Sequence, residues 1–198
     1  MFDVGGATLR AVTGQIDWWW NAIFRPRLAG LADDEFLWQP VPDCWTIHDA
    51  GDGVLIDFEW PPPQPAPVTT IAWRLCHIGI GCLAQRTSSL FPDVADTPVF
   101  VPMGAREQPF PARAEAALDF LDHWWTLWRR GLDEGGEDGL WRPIGDIEDG
   151  IYVANDFSAM QLGGDDPRIG LVMHIHRELM HHGAEVGVLR DLYGAQHG

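Results

Sequence analysis

The chain has 198 residues, of which 46% are hydrophobic, and its formal net charge at pH 7 is -16. This composition is typical of a folded rather than a disordered chain, and the length predicts a single domain over 1–198. All 13 basic residues are arginine, and so acidic a chain excludes nucleic acids and anionic membranes as expected partners.

The sequence also bears on location and redox chemistry. No apolar run has the length of a membrane span, and residues 1–12 lack the basic and apolar segments of a signal peptide, so a cytoplasmic location is expected. Cys44, Cys76 and Cys82 form no CxxC pair, which argues against a disulfide framework. Cys76 and Cys82 are predicted to be small core residues.

Two long helices are predicted in the first half of the chain. Apolar residues recur at spacings of three and four over 4–31, which predicts the first helix. The second begins at Thr69 or Thr70, both good N-cap residues, and ends near Leu90. Between them, two short runs flank a DAGDG turn at 49–53 and predict a β-hairpin within 44–60. The prolines of 61–67 then predict an extended spacer.

Two more helices are predicted in the second half. Alanine, leucine and tryptophan recur at helical spacing over 112–132 and predict the third helix. Residues 91–110 and 135–166 are rich in proline or in glycine and aspartate, so both are predicted to be loops. The fourth helix is expected to begin near Pro167 and to end at Gly194. Together these segments predict an all-α helical bundle with long irregular connections.

Glu178 and His182 lie four residues apart on the fourth helix, so their side chains share a face and can bind one metal ion. His77 on the second helix would supply a third ligand. Three protein ligands with an open position are typical of a catalytic metal site. The mixed nitrogen and oxygen set favours Zn²⁺, with Ni²⁺, Fe²⁺ and Mn²⁺ as alternatives. Two metal-free interpretations stay open: a Glu178–His182 hydrogen bond, or a Glu178–Arg74 ion pair.

A helical wheel places the remaining polar residues of this segment around the predicted site. His174, His181 and Glu185 fall on the rim of the apolar face, where they would either orient a ligand imidazole or simply face solvent. His176 is predicted to point away from that face. Most tryptophans have core spacing, whereas Trp45, Trp60 and Trp141 lie in the connections and are candidates for lining a pocket mouth.

The segments TIAWRLCHIGIG (70–81) and HIHRELMHHGAEVGVLRDLY (174–193), with LAGLADDEFLWQPVPDCWTI (28–47) before them, resemble the DinB-like superfamily. The resemblance covers nearly the whole chain and implies a four-helix bundle of up-down-down-up topology, often dimeric. It also implies His77, Glu178 and His182 as the metal ligands. The His-Glu-His set is similar to the mycothiol-dependent maleylpyruvate isomerase branch, whose GHAD segment reads GAEV at 183–186 here.

Two functions follow as expectations. The first is a divalent-metal-dependent enzyme that acts on a small molecule, either by thiol-dependent (mycothiol-type) transfer or isomerisation or by hydrolysis. In this enzyme His181 or Glu185 would transfer the proton, and a low-molecular-weight thiol would supply the sulfur. The alternative is a non-catalytic, stress-related bundle protein that binds a metal or a small apolar ligand. A homodimer without nucleic-acid or membrane partners is expected in either case.

Overall fold

The structure is a computed structural model of the chain, and it describes residues 6–59, 61–101, 105–146 and 162–198. It is mostly helical and contains a small three-stranded antiparallel sheet. The α- and π-helices are α1 (Ala7–Trp18), π1 (Trp19–Phe24), α2 (Arg25–Arg27), α3 (Asp33–Phe36), α4 (Ile71–Cys76), π2 (His77–Ala84), α5 (Gln85–Leu90), α6 (Ala114–Trp141) and α7 (Arg168–His197), and a 3₁₀ helix spans Ile144–Asp146. The strands are β1 (Ile47–Asp49), β2 (Val54–Ile56) and β3 (Glu107–Gln108).

Two of the predicted long helices contain a π-helical segment. The first helix runs over 7–27, with π1 inside it, and the second runs over 71–90, with π2 inside it. Thr70 is the N-cap of the second helix, and its hydroxyl accepts a hydrogen bond from the Trp73 N–H, as the sequence predicts. The π segments were not predicted, because a fixed helical wheel assumes α geometry throughout.

The third helix is longer than predicted. It continues to Trp141, with a break at Gly136, whose φ of 61° is not helical. The predicted end at residue 132 is therefore wrong, because the glycines after it allow a kink and a further stretch of helix. The part of the predicted 135–166 loop that spans 147–161 lies outside the described residues.

The predicted orientation of His176 on the fourth helix is wrong. This side chain is only 5% exposed and accepts a hydrogen bond from Trp128 Nε1 on α6 at 3.2 Å. Burial, and to a lesser extent the charge of Arg129, lower the pKa of His176 to about 3. The wheel placed His176 away from the core because it counted only the apolar residues. In fact α7 contacts α4 and π2, and also contacts π1 and α6.

The predicted hairpin is confirmed. β1 and β2 are antiparallel, with Ile47 opposite Ile56, and β3 pairs with β2 as a third strand. This sheet joins α4 through the backbone of Trp45, which bonds to Val68 and Thr70. The sheet therefore fixes the start of the helix that carries His77.

Five tryptophans of the described residues are buried in the core, fewer than expected, since Trp19 is only partly buried. Trp124, Trp125 and Trp128 of α6 are buried, and Trp125 stacks on Trp20 of π1 with ring centroids 4.3 Å apart. Cys76 and Cys82 are also buried, in agreement with the sequence. Within the described residues, no helix combines the length and the apolar character needed to cross a membrane. The cytoplasmic location stays a prediction.

Candidate metal centre

His77 is the first residue of π2, directly after α4, and the helical turn before it is held by a hydrogen bond of Trp73. Trp73, one turn earlier, donates from Nε1 to the carbonyl oxygen of Asp57 at 2.7 Å. The His77 ring stacks on this indole, with centroids 5.5 Å apart and planes 10° apart. The sheet, the Trp73 ring and the His77 ring thus form a continuous support that fixes the imidazole.

Helix α7 brings Glu178 and His182 to the same point. The His182 ring meets the His77 ring edge to face, with centroids 4.6 Å apart. One ligand atom from each of His77, Glu178 and His182 lies within 4.8 Å of the other two. The structure therefore brings together the three residues predicted as ligands, in an arrangement that could hold a metal ion.

His182 lies between two carboxylates. Its Nδ1 is 2.7 Å from Glu185 Oε2, and its Nε2 is 3.1 Å from Glu178 Oε2. A neutral imidazole has one N–H, which the closer contact assigns to Nδ1 as the donor to Glu185. The Nε2 lone pair then faces the Glu178 carboxylate. Two acceptors at this distance need a proton or a metal ion between them.

The distance between Glu178 and His182 fits a metal ion. Nitrogen and oxygen ligands lie about 2.0–2.2 Å from Zn²⁺, so neighbouring ligands in a tetrahedral site are about 3.3 Å apart. The Glu178–His182 contact of 3.1 Å is close to this value. In addition, His77 Nδ1 is buried and has no hydrogen-bond partner among the described residues. The donor set and its spacing therefore suit a small divalent cation.

Two of the candidate ligands have the protonation state that metal binding requires. Hydrogen bonding to His182 lowers the pKa of Glu178 to about 2, so its carboxylate is ionised at neutral pH. Burial lowers the pKa of His77 to about 3, so its imidazole is neutral. A divalent ion would therefore displace few protons from these two side chains.

Two arginines flank the centre. Arg177 donates to Glu178 Oε1 at 3.1 Å and lies 2.6 Å from His174 Nδ1. Arg74 lies 2.9 Å from Glu185 Oε2 and 3.3 Å from His182 Nδ1. Of the two metal-free interpretations, the Glu178–His182 contact is present, whereas Arg74 pairs with Glu185 instead of Glu178. The contact of Arg177 with Glu178 was not predicted, and the position of Arg177 directly before Glu178 in the chain was its only indication in the sequence.

The rim residues have distinct partners. Glu185 lies 2.7 Å from the imidazole of His182, a candidate ligand, where a carboxylate would orient the ring. His181 is 64% exposed and places Nε2 at 3.6 Å from Glu185 Oε1. His174 is half-buried, lies 3.7 Å from Glu178 Oε1 and has a pKa lowered by burial. His181, His182 and Glu185 form a second group whose ligand atoms lie within 4.8 Å of one another.

The tryptophans of the connections have different surroundings. Trp45 packs on Trp73, with ring centroids 5.8 Å apart, and so supports the centre from behind. Trp141 is largely exposed at the end of α6, and Trp60 lies outside the described residues. A pocket mouth lined by all three stays a prediction.

Comparison of the chain with family models, with curated proteins and with solved structures found no match. The resemblance to the DinB-like superfamily, and the functions that it implies, therefore stay predictions.

Proposed function

We propose that the chain is a divalent-metal-dependent enzyme that acts on a small molecule, with His77, Glu178 and His182 as the metal ligands. The observation that carries the proposal is the pair of carboxylates at the two nitrogens of His182. Glu185 accepts a hydrogen bond from the Nδ1 proton, so the Nε2 lone pair is available to a cation. The Glu178 carboxylate faces the same position. Zn²⁺ is the preferred ion for this ligand set, and Ni²⁺, Fe²⁺ and Mn²⁺ are alternatives.

A divalent ion at this point would supply a Lewis acid that activates a thiol or a water molecule as a nucleophile. The residues of the chain prepare the site for it. Trp73 stacks on one face of His77. Glu185 fixes the His182 tautomer, and Arg74 holds Glu185 at 2.9 Å. Glu185 and the exposed His181 are the groups proposed to pass a proton between the nucleophile and solvent.

The proposed reactions are thiol-dependent transfer or isomerisation, or hydrolysis. All three thiols are buried, that of Cys44 donates to the Val41 carbonyl oxygen, and the other two are poorly suited to act as the nucleophile. Burial raises the pKa of Cys76, and burial raises the pKa of Cys82 to about 12. Because the thiolate is the reactive form, a thiol-dependent reaction here would take its sulfur from a low-molecular-weight thiol such as mycothiol.

The test is metal content by plasma mass spectrometry on tag-free protein. We expect about one equivalent of a divalent metal in the wild type, and its loss in His182→Ala. The matched control is His123→Ala, which removes an exposed histidine 3.5 Å from Asp96 and should leave the metal in place. Circular dichroism shows whether each variant is folded. A wild type that binds no Zn²⁺, Ni²⁺ or Mn²⁺ after incubation would refute the proposal.

The alternative is a non-catalytic, stress-related binding protein, and one observation favours it. The ionic contacts around His182 are continuous, and they need no metal if His182 carries two protons. They join, in order, Arg177, Glu178, His182, Glu185 and Arg74. In that case His182→Ala would lower the free energy of unfolding without removing a metal. In the enzyme, the same variant would lose metal and activity while it stays folded.

The proposal includes the finer fold and the oligomeric state. The four long helical segments, over 7–27, 71–90, 114–141 and 168–197, support a four-helix bundle of up-down-down-up topology. A homodimer is supported by exposed apolar side chains on π1 and α7, among them Ile23 and Val188. Sedimentation equilibrium tests the dimer, since a mass near 22.1 kDa would be that of the monomer.

A further inference from the structure

The arrangement around His182 is repeated on its two sides. On the Nε2 side lie Glu178 and His77, whose ring centroid is 4.6 Å from that of His182. On the Nδ1 side lie Glu185 and His181, whose ring centroid is 4.8 Å away. The two sides differ in exposure, because His77 is half-buried and His181 projects into solvent.

We propose that a second divalent cation binds on the outer side, held by His181 Nε2, Glu185 Oε1 and His182 Nδ1, and that it competes with the inner ion for the His182 ring. These residues have the ligand chemistry for zinc, nickel or copper. The competition, though not the outer site, rests on the proposed inner metal.

One carboxylate oxygen of Glu185 is available to the outer cation. Arg74 lies 2.9 Å from Oε2 of Glu185, whereas Oε1 faces His181 Nε2 at 3.6 Å. That separation is only slightly larger than the roughly 3.3 Å expected for neighbouring ligands of one tetrahedral ion. A cation can therefore take Oε1 while Arg74 keeps Oε2. It must displace the His182 Nδ1 proton from its 2.7 Å hydrogen bond to Oε2, and also the Arg74 contact to His182 Nδ1, at 3.3 Å.

The competition follows from the proton count of one imidazole. When the inner ion takes Nε2, the single ring proton lies on Nδ1 and is donated to Glu185. When an outer cation takes Nδ1, that proton moves to Nε2 and is donated to Glu178. The ring can then no longer be an inner ligand while it stays neutral. The outer cation would also occupy His181 and Glu185, the proposed proton-transfer groups, so excess metal should inhibit the enzyme.

The test is isothermal titration of Zn²⁺ into the metal-free full chain at one pH. We expect a tight first event at the inner site and a weaker second event in the wild type, because the second ion must take the His182 ring from an inner ion that His77 and Glu178 still hold. His181→Ala should abolish the second event and keep the first. The matched control is His48→Ala, which removes another exposed histidine beside a carboxylate, 3.1 Å from Asp57, and both events should remain.

A separate variant tests the competition of the two cations for the His182 ring. His77→Ala removes an inner ligand, so the inner event should be lost and the outer one should tighten by about tenfold, the size of effect that the partners of a ligand imidazole have. Glu178→Gln serves the same purpose if His77→Ala does not fold. An outer affinity that is unchanged or weaker in both variants would contradict the competition.

The outcomes separate the two sites. If His181→Ala titrates like the wild type, the outer site is refuted. If the wild type shows a single event that His181→Ala removes and His77→Ala keeps, the outer site is supported and the proposed inner metal is refuted. If the single event shows the opposite pattern, the inner metal is supported and the outer site is refuted.

Discussion

Replacement of His176 by glutamine should make the protein less sensitive to mild acid. His176 is buried between α7 and α6, and its Nε2 accepts the Trp128 Nε1 proton at 3.2 Å. A glutamine side chain places its carbonyl oxygen near the position of Nε2, so the buried N–H keeps an acceptor. The substitution removes the group that can be protonated and keeps the hydrogen bond.

The magnitude follows from the pKa of His176, which burial lowers from 6.5 to about 3. Above pH 6.5 the ring is neutral in the folded and the unfolded chain, and its contribution to stability is fully present. Between pH 6.5 and 3 the unfolded chain binds a proton that the folded chain does not, so stability falls as the pH falls. The slope is about 1.4 kcal/mol per pH unit, which gives about 2 kcal/mol lost between pH 7 and pH 5.

The assay is urea unfolding of metal-free protein, followed by circular dichroism at pH 7 and pH 5. The wild type should lose about 2 kcal/mol more than His176→Gln over this range. The comparison is between two pH values, so a constant cost of the substitution cancels, as do the other titrating groups. Equal losses in the two proteins would show that His176 is protonated in the folded state at pH 5 and would refute the reasoning.

Three further outcomes are expected. Gly183→Ala should cost about 1–3 kcal/mol, because the new Cβ would lie 2.5 Å from the Trp19 ring, whereas Gly194→Ala, with nothing within 4 Å, should be neutral or slightly stabilising in thermal unfolding. Glu35→Ala should cost about 3–5 kcal/mol in urea unfolding, because it leaves Arg190 without the two carboxylate contacts at 2.8 and 2.9 Å, and a cost below 1 kcal/mol would contradict this. Zn²⁺ at a hundred times its dissociation constant should stabilise the metal-free protein by about 2.7 kcal/mol, and a chelator should reverse the gain.

The convergence of the candidate ligands could be predicted because it depends on short-range geometry. Glu178 and His182 are four residues apart, and helical spacing alone places them on one face. His77 needed a second step, which its inward position on the second helix supplied. The tautomer of His182 could not be predicted, because it depends on Glu185 and Arg74 together, and Arg74 comes from a different helix.

The buried face of α7 could not be predicted from the apolar residues alone. Gly183 and Gly187 carry no hydrophobic signal, yet both are buried because Trp19 and Arg27 pack closely on them. The buried face of the helix is therefore wider than its apolar residues alone indicate, and it includes His176. Such burial depends on the neighbouring helices, so a single helical wheel cannot show it.

The π-helical segment after His77 has a consequence for changes in chain length. A π turn holds more residues than an α turn, so the eight residues of His77–Ala84 form fewer turns than eight α-helical residues would. A homologue with one residue fewer in 78–84 could adopt α geometry there and keep both ends of the helix on nearly the same faces. In a future alignment, a one-residue gap after His77 would therefore be compatible with an intact site, whereas a gap between Thr70 and His77 would rotate the imidazole away from His182.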